Sequence, residues 1–177
     1  VFGTRQKLAL LADGLTASEA DIAETVPWFE LDREVLAAAA GFDLHRGLLA
    51  TADRAPELSV DQVLSGATTL AVMEGVGDHE NIGALFRNAA GMGVDGVVFG
   101  AACADPLYRR SVRVSMGHVL TVPFAALPGT TTTWQRSLDQ LKEQGFRVVS
   151  MTPAGTVDLW DAMDTDKVAI LVGAEGQ

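Results

Sequence analysis

Cysteine is nearly missing from these 177 residues. Cys103 stands alone, which excludes an internal disulfide framework and suits a reducing compartment. A lone cysteine of this kind is expected as a small buried residue rather than a nucleophile. Histidine is almost as scarce: His45, His79 and His118 are scattered without metal-ligand spacing, and no metal site is expected. No apolar run approaches the roughly 20 residues a membrane span needs. Leu8–Ala12 ends at Asp13, too short for a signal peptide or a transmembrane segment, so a cytoplasmic protein is expected. Positive charge is also short, with 13 Lys and Arg against 23 Asp and Glu and a net charge of −10. That balance excludes a broad basic coat for indiscriminate nucleic-acid binding.

What is present is the composition of a folded protein, 48% hydrophobic and 20% charged, with length for one sizeable domain or a domain and a small partner. Residues 1–54 read as part of a small α/β domain. Val26–Leu31 is a strand candidate, Asp32 caps a helix through Ala40, Gly41 ends it, and Arg46–Ala52 is a second strand candidate. Residues 55–68 read as a linker holding Pro56, Ser59 and a short helix, Val60–Leu64. Strands and helices then alternate over residues 69–177. The strands are Thr69–Met73, Gly96–Phe99, His118–Val122, Phe146–Ser150 and Val168–Val172. The helices are Ile82–Met92, a short one near Pro106–Val114, and Thr133–Gln144. This alternation predicts an α/β fold with a mainly parallel sheet and helices on both faces.

Charge is distributed unevenly along the chain. Between Phe86 and Leu138 stand five arginines (87, 109, 110, 113 and 136) and two acids, Asp95 and Asp105. A focused basic island of this kind suits selective engagement of a structured RNA, although it also suits an ordinary solvated face. Overlapping its start runs Asn81-Ile-Gly-Ala-Leu-Phe-Arg87-Asn-Ala-Ala-Gly91-Met-Gly93. Asp78 or Asn81 can cap the helix, on which Gly83, Arg87 and Gly91 share one face at i, i+4 and i+8. Each glycine inside a helix costs about 1 kcal/mol relative to alanine. A close approach by another backbone or a ligand would offset that cost, and helix-on-sheet packing would do so too.

This segment resembles the first motif of the SpoU (TrmH-like) RNA 2′-O-methyltransferases, members of the SPOUT superfamily of knotted enzymes. Two further segments match in order. Arg110-Ser-Val-Arg-Val-Ser-Met-Gly-His-Val-Leu-Thr-Val-Pro123 resembles the intervening Ser-x-Gly…Pro segment. Lys167-Val-Ala-Ile-Leu-Val-Gly-Ala-Glu-Gly-Gln177 resembles the second motif, an apolar strand running into Gly-x-Glu-Gly. The family's third motif, a proline-containing loop followed by Ser-Leu-Asn and a helix, is not in the sequence, and Val1 is not an initiator methionine. The chain therefore reads as trimmed, with the knot-forming part and the closure of the cofactor pocket lying outside it.

The resemblance implies an S-adenosylmethionine-dependent transfer to a ribose 2′-hydroxyl of structured RNA by a homodimer, and the accessory N-terminal region favours ribosomal over transfer RNA. It places Asn81, Arg87 and Glu175 at the reaction centre, and Thr152, Gly173 and Gly176 against the cofactor. Arg109, Arg110 and Arg113 are assigned to RNA phosphates. It also implies that residues 1–54 are part of a ribosomal-protein-like RNA-binding domain, although a first strand and helix of that domain are not read in the sequence. Two other classes stay open. Gly75-Val-Gly77 after a strand superficially suits a Rossmann-type nucleotide enzyme, but the full Gly-x-Gly-x-x-Gly is interrupted by Glu80. A non-catalytic RNA-binding module of the same fold is the third.

Overall fold

The computed structural model describes residues 1–173, without the side chains of residues 20, 22 and 23. The chain forms two compact units, Val1–Ala55 and the residues from Pro56 onward.

The first unit runs β1 (Phe2–Gly3), α1 (Arg5–Gly14), a 3-10 turn (Ala17–Glu19), α2 (Ala20–Thr25), β2 (Phe29–Glu30), α3 (Arg33–Ala40) and β3 (Leu48–Leu49). Its sheet has the order β2-β1-β3, with β1 parallel to β2 and antiparallel to β3. Asp32 precedes α3 in an extended conformation, and Gly41 closes the helix at φ 75°, donating its N–H to the Ala37 carbonyl. Only a residue without Cβ takes that left-handed conformation at no cost. The strands expected at Val26–Leu31 and Arg46–Ala52 shrink to two residues each. A strand and a helix that were not expected, β1 and α1, precede them. The reason is physical: the apolar residues of α1 form the continuous run Leu8–Ala12 rather than a stripe at helical spacing, none of them is fully buried, and a two-residue strand has no periodicity.

The second unit contains α4 (Val60–Leu64), β4 (Thr69–Glu74), α5 (His79–Gly91), β5 (Gly96–Phe99), α6 (Arg109–Val114), a 3-10 turn (His118–Leu120) and β6 (Phe124–Ala126). A further 3-10 turn (Trp134–Ser137), α7 (Leu138–Glu143), β7 (Arg147–Ser150), α8 (Leu159–Ala162) and β8 (Val168–Gly173) follow. The five strands are all parallel, in the order β6-β5-β4-β8-β7. Alternate side chains of the strands feed two cores. Leu70, Val72, Val98, Ala125 and Ala169 pack with α4, Trp134 and Leu141 on one face. Met73, Val97, Phe99 and Phe124 pack with Ile82, Phe86 and Ala89 of α5 and with Val119 on the other. This two-sided burial explains why the strands read as continuous apolar runs.

Two elements differ from expectation. The strand expected at His118–Val122 is a 3-10 turn, and the strand lies instead at Phe124–Ala126, after Pro123. Val119 and Val122 are buried while Leu120 is 66% exposed, a spacing of three that fits a 3-10 turn and not the alternation of a strand. Gly117, at φ 89°, turns the chain into it. The helix expected over Thr133–Gln144 starts as the Trp134–Ser137 3-10 turn and becomes α-helical only from Leu138 to Glu143.

Candidate active site

Parallel pairing puts the carboxyl ends of all five strands on one edge, with β4 and β8 side by side at the centre of the sheet. Ligands of open α/β sheets bind outside the carboxyl ends of the strands. Here Glu74 is paired in register with Gly173. Ser150, the last residue of β7, pairs with Leu171 two residues before Gly173, so the turn that holds Thr152 leaves the sheet on the same edge. Glu74 is held by Trp134, whose indole Nε1–H donates to its carboxylate at 2.9 Å. Trp134 is 1% exposed and lies so close to Gly100 and Gly129 that a Cβ on either would meet it at 2.7 Å. This indole therefore pins the 127–134 loop to the edge where Glu74 sits. Sequence reasoning missed Glu74, because its partner is 60 residues away.

Thr152 lies in an exposed turn after β7, where its hydroxyl accepts from the Ala154 amide at 3.3 Å and its carbonyl from Gly155 at 3.0 Å. Gly173 is exposed, and a Cβ there would meet only the Glu74 carbonyl oxygen, at 3.8 Å. That is ordinary van der Waals contact, so packing among the described residues does not demand a glycine. Accessible backbone at Gly173 and a hydroxyl in the turn after β7 are the kinds of polar group that an adenosyl group hydrogen-bonds. Glu175 and Gly176 lie outside the described residues. No group of three or more His, Cys, Asp and Glu that could hold a metal occurs among the described residues.

Helix α5 leaves the same edge. Asp78 is its N-cap, with its carboxylate accepting from the Glu80 amide at 2.6 Å. Asn81 is therefore not the cap; it sits in the first turn with an exposed side chain. Arg87 is exposed, and its guanidinium has no hydrogen-bond or ion-pair partner among the described residues. Six residues separate Asn81 from Arg87, about 9 Å along the axis and about 120° around it, so the two do not share a face. Arg87 lies about 12 Å along α5 from His79. No contact among the described residues joins it to Gly173 or Thr152.

The glycines flanking Arg87 differ. A Cβ at Gly83 would lie 2.7 Å from the Ser111 carbonyl oxygen, 2.8 Å from Val114 Cβ and 3.0 Å from the Ser115 nitrogen. Gly83 is thus required where α6 crosses α5. At Gly91 nothing lies within 4 Å. Ser111 and Ser115 are fully buried in that contact, and the Ser115 hydroxyl donates to the Val112 carbonyl at 2.9 Å. The Ser-x-Gly segment is therefore the backbone that approaches the first motif.

Of the three arginines assigned to phosphates, all are exposed. Arg110 is engaged by Glu80, with Nε at 2.9 Å and Nη2 at 2.6 Å from one carboxylate oxygen. That contact raises the guanidinium pKa, the hydrogen bond contributing most. Arg113 has no partner among the described residues. Cys103 is half-buried and its thiol donates to the Met73 carbonyl at 3.4 Å; burial pushes its pKa up, which disfavours the thiolate.

Residues 68–177 match the SpoU rRNA methylase family. The chain belongs to that family. It is 51% identical over 180 residues, covering 99% of this chain, to an uncharacterised tRNA/rRNA methyltransferase of Mycobacterium tuberculosis. It is 30% identical over 94% of its length to the 23S rRNA (guanosine-2′-O-)-methyltransferase RlmB of Ralstonia nicotianae. The chain spans 59% of the first of these relatives and 66% of the second. Among solved structures it resembles the SpoU methyltransferase AviRb from Streptomyces viridochromogenes in complex with AdoMet. The TM-score is 0.72 at 17% identity, covering 99% of this chain and 65% of that one. An AdoMet-bound rRNA methyltransferase from Sinorhizobium meliloti follows at a TM-score of 0.65 and 19% identity, with coverage of 99% and 64%. At these identities the likeness establishes the fold, the α/β fold of the SpoU enzymes.

Proposed function

We propose that the protein to which this chain belongs transfers the methyl group of S-adenosylmethionine to a ribose 2′-oxygen in structured RNA, ribosomal rather than transfer RNA. The observation that carries this reading is Arg87: an exposed guanidinium without a partner among the described residues, in the helix that resembles the first motif of the family to which the chain belongs. The RlmB relative, whose name specifies a guanosine 2′-oxygen in 23S rRNA, supports it, as do the AdoMet complexes among the structural neighbours.

A 2′-hydroxyl is a poor nucleophile until its alkoxide is stabilised. A guanidinium stays protonated at ordinary pH, so Arg87 acts by stabilising the developing alkoxide and clamping a neighbouring phosphate, not by accepting the proton. Asn81 would hold the loop or the ribose edge, and Glu175 would orient Arg87. Thr152, Gly173 and Gly176 would hold the cofactor, which supplies a methyl group on a good leaving group. Arg109 and Arg113 would meet RNA phosphates, and Arg110 would exchange Glu80 for one. Residues 1–54 would serve as part of a ribosomal-protein-like substrate domain and 69–177 as the methyltransferase domain, with the 55–68 segment joining them in sequence and packing its helix α4 into the core of the second unit. A cytoplasmic homodimer is the expected form; no helix among the described residues is long and apolar enough to cross a membrane.

The strand order weighs against the Rossmann alternative. In that fold the fourth strand returns beside the first, whereas here the last strand, β8, lies beside β4 and β7 takes the edge. In a non-catalytic module of the same fold Arg87 would only clamp a phosphate, so methyl transfer is what separates the two readings. The test is transfer of a labelled methyl group from S-adenosylmethionine to RNA by the full-length protein, followed by alkaline hydrolysis. A methylated 2′-oxygen cannot attack its phosphodiester, so the label should appear in alkali-resistant dinucleotides. Label in mononucleotides would mean base methylation, and no transfer would favour the non-catalytic module.

A further inference from the structure

The chain has one tyrosine. Tyr108, the residue before α6, is 51% exposed. The imidazole of His79, the first residue of α5, lies against its ring at a centroid distance of 4.3 Å and an angle of 41°. The aromatic pair is thus built from two helices at the mouth of the seam where Gly83 meets Ser111 and Ser115. His79, Gly83 and Arg87 follow one another at intervals of four along that side of α5, so the pair stands about 12 Å from Arg87 along the helix.

The surrounding charge distinguishes this aromatic from the chain's other prominent one. Trp160 is 83% exposed but is flanked by Asp158, Asp161 and Asp164, which would repel a phosphate backbone. Tyr108 is followed by Arg109, Arg110 and Arg113. The acids nearby are already engaged: Asp78 caps α5, Glu80 holds Arg110, and Asp105 accepts from the Leu107 amide at 2.9 Å. The Arg113 guanidinium is left for an external anion.

We propose that the open face of Tyr108, backed by His79, is a stacking site for an unpaired base of the RNA substrate, placed beside the ribose that Arg87 addresses. This rests on the RNA-methyltransferase reading above and adds a base-dependent contact to it. Single-stranded bases are held on aromatic faces whatever their identity, while adjacent cations hold the phosphates. A half-exposed ring braced from one side and bordered by arginines provides both.

The test measures binding of the full-length protein to a hairpin RNA with an eight-nucleotide loop and to the same hairpin with abasic loop nucleotides. The wild type should prefer the base-bearing loop by roughly five- to a hundredfold, the range expected for one base–aromatic stack. Tyr108→Ala should remove the preference, and Tyr108→Phe should keep it. Tyr108→Leu, which retains an apolar side chain at that corner, should behave like the alanine variant. Arg113→Ala should weaken both hairpins alike. A wild type without the preference, or a preference that survives Tyr108→Ala and Tyr108→Leu, overturns the stacking site. Wild-type methyl transfer to cellular RNA, measured in parallel, tests the underlying reading separately.

Discussion

In the first unit every strand has two residues and, among the described residues, the buried hydrophobic side chains are Leu36 and Leu44. From Pro56 onward β4 and β8 have six residues each. Leu70, Val72, Met73, Ile82, Phe86, Val97, Val98, Trp134 and Leu141 are each 1% exposed or less. The first unit's surface carries the ion pairs Arg5–Glu30 at 2.9 Å and Arg33–Asp43 at 3.2 Å, and such exposed pairs are worth at most about 1 kcal/mol each. The lesson is where precision resides. The motif residues project from a tightly packed two-sided sheet, whereas the first unit has little interior to fix its surface.

Core truncation should separate the two regions most. Phe86 packs edge-on against Phe124 at 5.6 Å and tilted against Phe99 at 6.0 Å, so Phe86→Ala should cost about 3–5 kcal/mol. Leu36→Ala, in surroundings freer to collapse, should fall near the lower end for leucine, about 2 kcal/mol. Urea unfolding of both variants checks this, and a larger loss for Leu36→Ala would break the comparison.

A smaller effect sharpens it within one helix. Gly83→Ala must push back the Ser111–Ser115 backbone and should cost about 1–3 kcal/mol. Gly91→Ala, in open space, should stabilise by about 0.5–1 kcal/mol. Opposite shifts in the urea midpoint are expected; a stabilising Gly83→Ala would mean that α6 yields freely.

The smallest effect depends on pH. Asp95 accepts from the Thr68 and Thr69 amides at 2.8 and 2.9 Å and from the Thr68 hydroxyl at 3.0 Å. These bonds, the Thr68 amide foremost, lower its pKa. The stabilisation is complete above the ordinary aspartate pKa of about 3.9 and is lost as the pH falls through the lower folded value. Asp95→Asn should therefore lower the neutral-pH melting temperature slightly and flatten its decline in acid. An unchanged acid profile would remove Asp95 as the tie between the starts of β4 and β5.

Local signals were legible in the sequence. The boundaries of β4, β5 and α3, with Asp32 before the helix and Gly41 after it, follow from apolar runs and cap residues. The glycine pair around Arg87 called for a close approach, and the structure supplies one at Gly83 but not at Gly91. Pairings between distant residues were not legible. Trp134 with Glu74, Arg110 with Glu80 and Tyr108 with His79 depend on how helices and loops meet over the sheet edge. No spacing along the chain announces them. The 3-10 turn at His118–Leu120 was misread because a short apolar run serves a turn and a strand equally well until its exposed and buried positions are known.

The most direct test of the central claim is methyl transfer by the full-length protein carrying Arg87→Ala. Loss of one charged contact to the developing alkoxide should reduce the rate by about 10²–10³, or about 3–4 kcal/mol. Affinity for S-adenosylmethionine should stay within a few-fold, because no described contact joins Arg87 to Thr152 or Gly173. Activity within about tenfold of the wild type would contradict the account and remove Arg87 from the reaction centre.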